Sequence, residues 1–135
     1  MTRNTLCLSV LALLAGAAPP ALFAHSGVVF DDLSLKSDIL GAKRKFAVYL
    51  PPDYETSERS YPALYLLHGG GGDQTDWIQF GEVQRIADAA IADGSATPMI
   101  IIMPDAFTEH LGFANRLDVD WRYEDFFFDE LIPHV

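Results

Sequence analysis

Tyr61–Trp77 reads YPALYLLHGGGGDQTDW, and this stretch decides the fold class. Its first part, PALYLL at 62–67, is an almost continuous apolar run. In a strand, Leu64 and Leu66 would share one side and the intervening residues the other, because successive side chains alternate. A run that is apolar on both sides is typical of a strand buried on both faces, as in a parallel sheet covered by helices. We therefore predict a buried strand of an α/β fold.

Four consecutive glycines follow His68 directly. Glycine loses much conformational entropy on folding, so this run predicts a loop rather than a helix or a strand. A strand, then HGGG, then a helix resembles the loop after the third strand of α/β-hydrolases, where a backbone N–H donates to the oxyanion of an acyl-transfer intermediate. We expect Gly70 to be the first donor and Gly71 the second. His68, Gly69 and Gly72 are predicted to shape the loop and to contact the substrate.

Two other interpretations of the glycine run stay open: a flexible turn without chemistry, and a phosphate-binding loop. A Walker A loop needs Gly-Lys-Ser/Thr, but Gly72 is followed by Asp73, Gln74 and Thr75. A dinucleotide fingerprint needs a third glycine where Gln74 or Thr75 stands. The carboxylate of Asp73 would also repel a phosphate group. Phosphate binding is therefore the weakest of the three interpretations.

Three further side chains are candidates for chemistry. Trp77 either packs in the core or lines an acyl or alcohol pocket, and we include it among the substrate-binding residues. Asp105 follows the apolar strand at 98–104, where parallel sheets place their site loops, but a carboxylate that starts a turn is the preferred interpretation. His110 has no second histidine or carboxylate at metal-site spacing. It is predicted to be a loop histidine, and no metal site is predicted.

The remaining patterns give an element order of strand, strand, strand, helix, strand, helix, which opens a doubly wound α/β sheet. Strands at 28–35 and 46–50 are expected to pair antiparallel at the sheet edge. The basic trio at 43–45 is predicted to be a solvated turn or strand start. In a helix at 83–91 the apolar residues would face inward while Arg85 and Asp88 face outward. A last helix, at 121–135, would be capped by Asp118 or Asp120, and Pro133 would kink or end it.

Length and charge limit the function classes. The 135 residues, half of them apolar, suffice for one small domain. The formal net charge is −10, and removing residues 1–24 takes away Arg3 and no acid, which gives −11. Such an acidic chain argues against binding nucleic acid or an anionic membrane surface through charge.

The first 24 residues are predicted to be a signal peptide. Arg3 precedes an apolar core at 6–18 that is too short to span a bilayer, and Ala24 offers a cleavage site. An uncleaved membrane anchor is the alternative. After cleavage, residues 25–135 would form the exported part, periplasmic or extracellular, without a stable membrane anchor. Cys7 is the only cysteine and would leave with the signal, so the mature chain would have no thiol nucleophile.

Four stretches together resemble the esterase family of α/β-hydrolases: FAVYLPPDY at 46–54, YPALYLLHGGGG at 61–72, MIIIMPDA at 99–106 and FFFDELIPHV at 126–135. That family includes feruloyl and acetyl-xylan esterases, S-formylglutathione hydrolases, enterochelin-esterase relatives and mycolyltransferases. The resemblance implies a serine carboxylesterase that works through an acyl-enzyme, needs no cofactor and accepts a small-molecule or carbohydrate-linked ester.

The resemblance also implies a serine in a Gly-x-Ser-x-Gly elbow, followed by an acid and a histidine. The sequence contains no such elbow, because every serine after the predicted signal lacks the flanking glycines. We therefore expect the triad to lie beyond Val135. The chain would be the N-terminal half of the fold, truncated before the elbow and inactive alone. A non-enzymatic exported binding module or pseudoenzyme is the alternative.

Overall fold

The computed structural model of the protein describes residues 26–106 and 112–135. The predicted signal peptide, Cys7 and His110 lie outside these residues. Four strands form one mixed sheet in the order β1-β2-β4-β3. They are β1 Val28–Ser37, β2 Ala42–Leu50, β3 Ala63–Tyr65 and β4 Ile100–Pro104.

The pairing directions follow the predicted arrangement. β1 pairs antiparallel with β2, and β1 forms one edge of the sheet, as predicted. β2 pairs antiparallel with β4, whereas β3 runs parallel to β4. The parallel pair is connected by α1 (Asp76–Gln79) and α2 (Val83–Ala92). This combination of a mixed sheet with crossover helices confirms the predicted α/β fold class.

Alternating apolar side chains give the sheet two buried faces. Phe46 and Val48 of β2 pack with Ile102 on one face, together with the C-terminal helix. Ala47 and Tyr49 pack on the other face with Val83 of α2. Because strand side chains alternate, β2 and β4 contribute to both cores, and the molecule has three layers.

The prediction that the strand at 62–67 is buried on both faces is wrong for these residues. Leu64 is 41% exposed and Leu67 is 44% exposed. The alternation itself is as predicted, since Leu64 and Leu66 line the cavity beside α2 and Tyr65 contacts Phe127 on the opposite face. The physical reason for the exposure is position, because among the described strands β3 pairs with β4 alone and forms the second edge of the sheet.

Helix α2 differs from the prediction on its polar side. Asp88 was expected to face solvent, but its Oδ1 accepts hydrogen bonds from the hydroxyl of Tyr49 at 2.8 Å and from the amide of Gly27 at 2.9 Å. Burial, followed by this hydrogen bond to Asp88, raises the pKa of Tyr49 well above its ordinary value. Conversely, Ile86 was expected to face inward and is 53% exposed. Asp88 therefore anchors the start of β1 to the helix.

The C-terminal segment begins with a short bridge instead of a helix. β5 (Asn115–Arg116) pairs antiparallel with β6 (Trp121–Arg122). Helix α3 follows as Tyr123–Phe126, a π-helical segment Phe127–Leu131 and a last turn Ile132–His134 that contains Pro133. Proline has no N–H to donate, and a π-helical irregularity lies just before Pro133, where the sequence predicted that the helix would kink or end.

The predicted caps of α3, Asp118 and Asp120, are wrong. The side chain of Asn115 instead accepts from the amide of Asp125 at 3.3 Å and donates to its carboxylate at 2.8 Å. The bridge between β5 and β6 brings Asn115 to the start of the helix. Across the described part of the chain, no helix is long and apolar enough to cross a membrane.

Candidate active site

The end of β3 leads into a tight turn made of the four glycines. The amide of Gly72 donates to the carbonyl oxygen of Gly69 over 3.1 Å, which places Gly70 and Gly71 at the two central positions. Gly71 has a φ of +84°, the conformation of the third residue of a type II turn, which residues with a Cβ rarely adopt. The loop predicted from the glycine run is therefore an ordered turn, and Gly71 is the position that requires glycine.

The two central amides of this turn are free donors. Within residues 26–106 and 112–135, neither the N–H of Gly70 nor that of Gly71 donates to another protein atom. A Cβ added at Gly70 would have no heavy atom within 4 Å, so the turn is open there. The amides lie beside a cavity of 160 Å³, whose lining also includes His68, Gly69, Ala106, Gly112 and Phe113.

The imidazole of His68 joins the turn to the end of β4. Its Nε2 accepts a hydrogen bond from the N–H of Ala106 over 3.0 Å, and its Nδ1 lies 2.8 Å from the carbonyl oxygen of Gly69. A ring nitrogen that accepts an N–H carries no proton, so this network assigns the proton to Nδ1, which donates to Gly69. Only 6% of the His68 side chain is exposed. The imidazole is therefore a neutral bridge between two backbone segments.

Aromatic rings border the turn on two sides. The ring centroid of Phe113 lies 5.0 Å from that of His68. On the other side, the indole N–H of Trp77 in α1 donates to the carbonyl oxygen of Leu67 over 3.1 Å. Trp77 and Phe80 line a second cavity of 270 Å³, which also includes His68, Gly69, Asp76 and Gly81. The turn therefore separates two concave surfaces, each with aromatic groups.

The carboxylates of two acidic residues accept hydrogen bonds in the segment that follows the four glycines. The amide and the hydroxyl of Thr75 each lie 2.7 Å from Oδ1 of Asp73. These hydrogen bonds keep the pKa of the Asp73 carboxyl below its ordinary value. The amide of Asp73 in turn donates to the carboxylate of Asp76 over 3.4 Å. The carboxylate of Asp73 beside the turn further disfavours the phosphate-binding interpretation.

The basic trio at 43–45 lies at the start of β2, as the sequence predicted, with Lys43 and Lys45 exposed, but Arg44 is buried instead of solvated. Arg44 is 8% exposed, and its Nη2 lies 2.7 Å from Oδ2 of Asp105, which is also 8% exposed. The pair is buried because β2 and β4 are neighbouring strands, so the start of one meets the end of the other. Asp105 therefore does more than start a turn, because it forms an ion pair inside the protein next to His68.

Tyr123, the first residue of α3, contacts the same strand end. Its buried hydroxyl donates to the carbonyl oxygen of Asp105 over 2.9 Å. Burial raises the pKa of Tyr123 well above its ordinary value, so the hydroxyl keeps its proton. The amide of Asp105 donates to the carbonyl oxygen of Lys45 over 3.0 Å. The peptide groups before and after Asp105 are therefore each held by a hydrogen bond.

Of the six residues predicted to form the oxyanion hole and to contact substrate, five line the two cavities: His68, Gly69, Gly70, Gly71 and Trp77. Gly72 closes the turn and lines neither cavity. Sequence reasoning did not assign Arg44, Ala106, Phe113 or Tyr123 to the site, because their contacts there are with residues far away in the sequence. The part of the chain that the structure describes contains no group of three or more His, Cys, Asp or Glu residues able to hold a metal ion.

The strand order and the position of the glycine turn define the class of protein. A sheet of order β1-β2-β4-β3, with a turn carrying free amides after β3, is the corresponding part of an α/β-hydrolase fold. The family model described as "Putative esterase" matches residues 37–135. The chain belongs to this family.

Known relatives are named as esterases. The chain is 33% identical over 105 residues to an endo-1,4-beta-xylanase/feruloyl esterase of Xylanibacter ruminicola, a match that covers 73% of this chain and 14% of that protein. It is 38% identical over 92 residues to an esterase of Mycobacterium tuberculosis, covering 65% of this chain and 18% of the other. The chain therefore spans less than a fifth of the length of these two relatives.

A solved ferulic acid esterase has a similar structure. The TM-score is 0.75 at 35% sequence identity, and the match covers 82% of this chain and 43% of the other. A serine hydrolase of Staphylococcus aureus matches with a TM-score of 0.61 at 23% identity, which supports the fold alone. The present chain corresponds to less than half of these solved chains.

Proposed function

We propose that the chain supplies the oxyanion donors of an exported serine carboxylesterase that works through an acyl-enzyme. The observation that carries the proposal is the pair of amides at Gly70 and Gly71, which have no protein acceptor among the described residues. They lie in a turn in which His68 contacts the carbonyl oxygen of Gly69. Membership of the esterase family supports the same reaction class.

Donors of this kind act on the transition state. When a serine attacks an ester carbonyl, negative charge develops on the carbonyl oxygen, and a preorganised N–H stabilises it without rearrangement. Loss of one such donor typically costs on the order of 3 kcal/mol of transition-state stabilisation. Glycine at 70 and 71 leaves room for the acyl group, because no Cβ lies between the amide and the cavity.

The proposal assigns no residue of the catalytic triad to positions 1–135. A serine needs a base beside its hydroxyl and a third group that orients the base, and no serine here has the flanking glycines of a nucleophile elbow. The triad is expected beyond Val135. The 135-residue chain alone should therefore be inactive, and residues 25–135 would be the N-terminal portion of the esterase domain.

The proposed substrate is an ester of a small, preferably aromatic, carboxylic acid, free or linked to carbohydrate. Two of the relatives described above carry feruloyl or ferulic acid esterase in their names. Phe113 on one side of the turn, and Trp77 with Phe80 on the other, offer aromatic surfaces to the two halves of such an ester.

Export is the proposed location, with cleavage after Ala24. Gly27, three residues further on, is buried against Tyr49 and hydrogen-bonded to α2, so a chain cleaved after Ala24 would keep these contacts. N-terminal sequencing of material from the periplasm or medium should start at His25. Exported protein that still begins at Met1 or Thr2 would contradict this part of the proposal.

The test of the catalytic proposal compares two glycines with the same backbone strain. Gly71 has a φ of +84° and Gly94 a φ of +77°, and a Cβ at either position would meet open space. Both Gly71→Val and Gly94→Val should therefore be strained, but only Gly71 belongs to the turn. The protein expressed from its complete reading frame is assayed with p-nitrophenyl acetate and methyl ferulate.

We expect Gly71→Val to lower kcat on the order of 10²-fold, as removal of an oxyanion donor does, while Gly94→Val lowers stability but not kcat. Gly70→Val, which introduces no positive-φ strain, should also lower kcat. Equal kcat values in all four proteins would refute the oxyanion assignment. Absence of ester hydrolysis in the wild type would favour the alternative, a non-enzymatic binding module or pseudoenzyme.

A further inference from the structure

One line of hydrogen bonds runs from the buried hydroxyl of Tyr123 to the glycine turn. We propose that this line orients and polarises the N–H of Gly70, which makes Tyr123 a positioning residue for the oxyanion donor. The inference rests on the proposed function of that amide. Tyr123 lies at the start of α3, outside the glycine motif, and its role comes from a contact between this helix start and the end of β4.

The first link is the peptide between Asp105 and Ala106. Its carbonyl oxygen accepts from the Tyr123 hydroxyl at 2.9 Å. The C=O and N–H of a trans peptide point in opposite directions, and the described chain contains no cis peptide bond. The N–H of Ala106 is thereby directed away from Tyr123 and toward Nε2 of His68, to which it donates at 3.0 Å. Nη2 of Arg44 adds a longer contact of 3.5 Å to the same carbonyl.

The second link repeats this geometry at the turn. Nδ1 of His68 donates to the carbonyl oxygen of Gly69 at 2.8 Å, and the amide of Gly72 donates to the same oxygen at 3.1 Å. The N–H of Gly70 belongs to the peptide that carries this carbonyl, so it points the opposite way. The two donors on Gly69 therefore hold the Gly70 N–H directed away from His68 and free for a ligand.

All the donors in this line point in the same direction. The hydroxyl of Tyr123 donates to a peptide, that peptide donates to the imidazole, and the imidazole donates to the peptide of Gly70. Hydrogen bonds arranged head to tail polarise one another, which strengthens the last donor. Burial helps, because Tyr123 is fully buried and the His68 side chain is almost so, which lowers the local dielectric.

The test removes one hydroxyl and uses a matched control. Tyr123→Phe deletes the first donor while keeping the aromatic packing with Phe113, Trp121 and Phe126. Tyr49→Phe is the control, because Tyr49 is equally buried and its hydroxyl donates to Asp88 on the other face of the sheet. Both variants are made in the protein expressed from its complete reading frame, and kcat and KM are measured with p-nitrophenyl acetate.

We expect Tyr123→Phe to lower kcat by about 10-fold with KM unchanged, a smaller loss than the 10²- to 10³-fold that follows deletion of an oxyanion donor. Tyr49→Phe should leave both constants within about twofold, as an interaction outside the transition state does. Equal kcat in the two variants would overturn the proposal.

A second readout does not depend on activity. With ¹⁵N-labelled histidine, His68 of the wild type should show a protonated Nδ1 and an unprotonated, hydrogen-bonded Nε2, and the Nε2 signal should shift in Tyr123→Phe but not in Tyr49→Phe. A wild type protonated at Nε2, or signals indifferent to Tyr123→Phe, would overturn the line of hydrogen bonds. A wild type without esterase activity would contradict the proposed function and not the line of hydrogen bonds. In that case the His68 signals alone test the line of hydrogen bonds.

Discussion

Arg44 and Asp105 form an ion pair that is buried between neighbouring strands, with 2.7 Å between Nη2 and Oδ2. The side chains are 10% and 12% exposed, so both charges have left bulk water. Oδ1 of Asp105 lies 3.8 Å from Nε2 of His68, which places the pair next to the candidate site. The guanidinium of Arg44 also lies over the ring of Trp121, at 5.9 Å from its centroid.

Breaking this pair should strongly destabilise the fold. Arg44→Met or Asp105→Asn removes one member of this buried ion pair, which typically costs about 3–5 kcal/mol of unfolding free energy. The double variant should be less destabilised than the sum of the two single variants, because no charge is left behind. Urea denaturation of the four proteins measures this coupling.

The control for the ion pair is Arg85→Met, which breaks an exposed pair with Glu82. Exposed pairs contribute about 0–1 kcal/mol, so this variant should stay close to the wild type. Additive losses in the double variant of Arg44 and Asp105 would show that the pair is not coupled.

The stability of the fold should decrease as the pH is lowered, and Glu130 should account for part of this decrease. This carboxylate of α3 accepts hydrogen bonds from the hydroxyl of Ser37 and from the amides of Asp38 and Ile39 at 3.0 and 3.1 Å, at the turn between β1 and β2. Burial alone would raise its pKa, but these hydrogen bonds hold the pKa of Glu130 below its ordinary value of 4.5. The unfolded state therefore binds the proton first as pH falls.

The contribution of Glu130 is thus present above pH 4.5 and is lost as pH falls through the lower pKa of the folded state. Glu130→Gln should be less stable than the wild type at pH 7, and the difference should shrink by pH 3. Urea denaturation midpoints of both proteins across this range measure the difference in stability. The contributions of the other acidic groups cancel in this difference, because both proteins contain them. A difference that is constant with pH would contradict the assignment.

The four glycines of the turn should differ in their tolerance of alanine. A Cβ at Gly72 would fall against the carboxylate of Asp76, with its Cγ only 2.7 Å away, whereas a Cβ at Gly70 meets nothing within 4 Å. We therefore expect Gly72→Ala to lower the free energy of unfolding by about 1 kcal/mol or more, because Asp76 must move and release the amide of Asp73. Gly70→Ala should be close to neutral in thermal denaturation. The reverse order would show that the loop differs from the one described.

The cap of α3 can be tested against the residues that the sequence favoured. Asn115→Ala removes the side chain that bonds the amide and carboxylate of Asp125 and should cost about 1 kcal/mol of unfolding free energy. Asp118→Ala, at one of the predicted caps, should cost less, because that carboxylate pairs with Arg116 at the surface. Equal losses in urea denaturation would argue against Asn115 as the cap.

Local patterns were enough to predict most strands of the main sheet, α2 and the glycine loop. Alternation and apolar runs predicted β1, β2, β4 and α2 to within a few residues, with the largest difference at the start of β2, and the glycine run predicted the loop that the structure places after β3. These features depend on residues that are close together in the sequence, so a local sequence pattern is enough to predict them. The resemblance to esterases was confirmed by the family match.

What the sequence could not predict depends on residues far apart in the chain. Arg44 binds Asp105, which lies 61 positions away in the sequence, and Asp88 binds Gly27, which is also 61 positions away. The residues next to Arg44 and Asp88 in the sequence therefore could not show that these two side chains are not simply solvated. The exposure of Leu64 follows from the edge position of β3, which only the strand order reveals. The role of Tyr123 likewise depends on a contact between a helix start and a strand end.

The most direct test of the oxyanion assignment is a crystal structure of the protein expressed from its complete reading frame after reaction with an aryl phosphonate. The phosphonyl oxygen of such an adduct occupies the position of the oxyanion. We predict that this oxygen lies about 2.7–3.1 Å from the amide nitrogen of Gly70, with Gly71 as the second donor. A phosphonyl oxygen more than about 3.5 Å from both nitrogens would contradict the account.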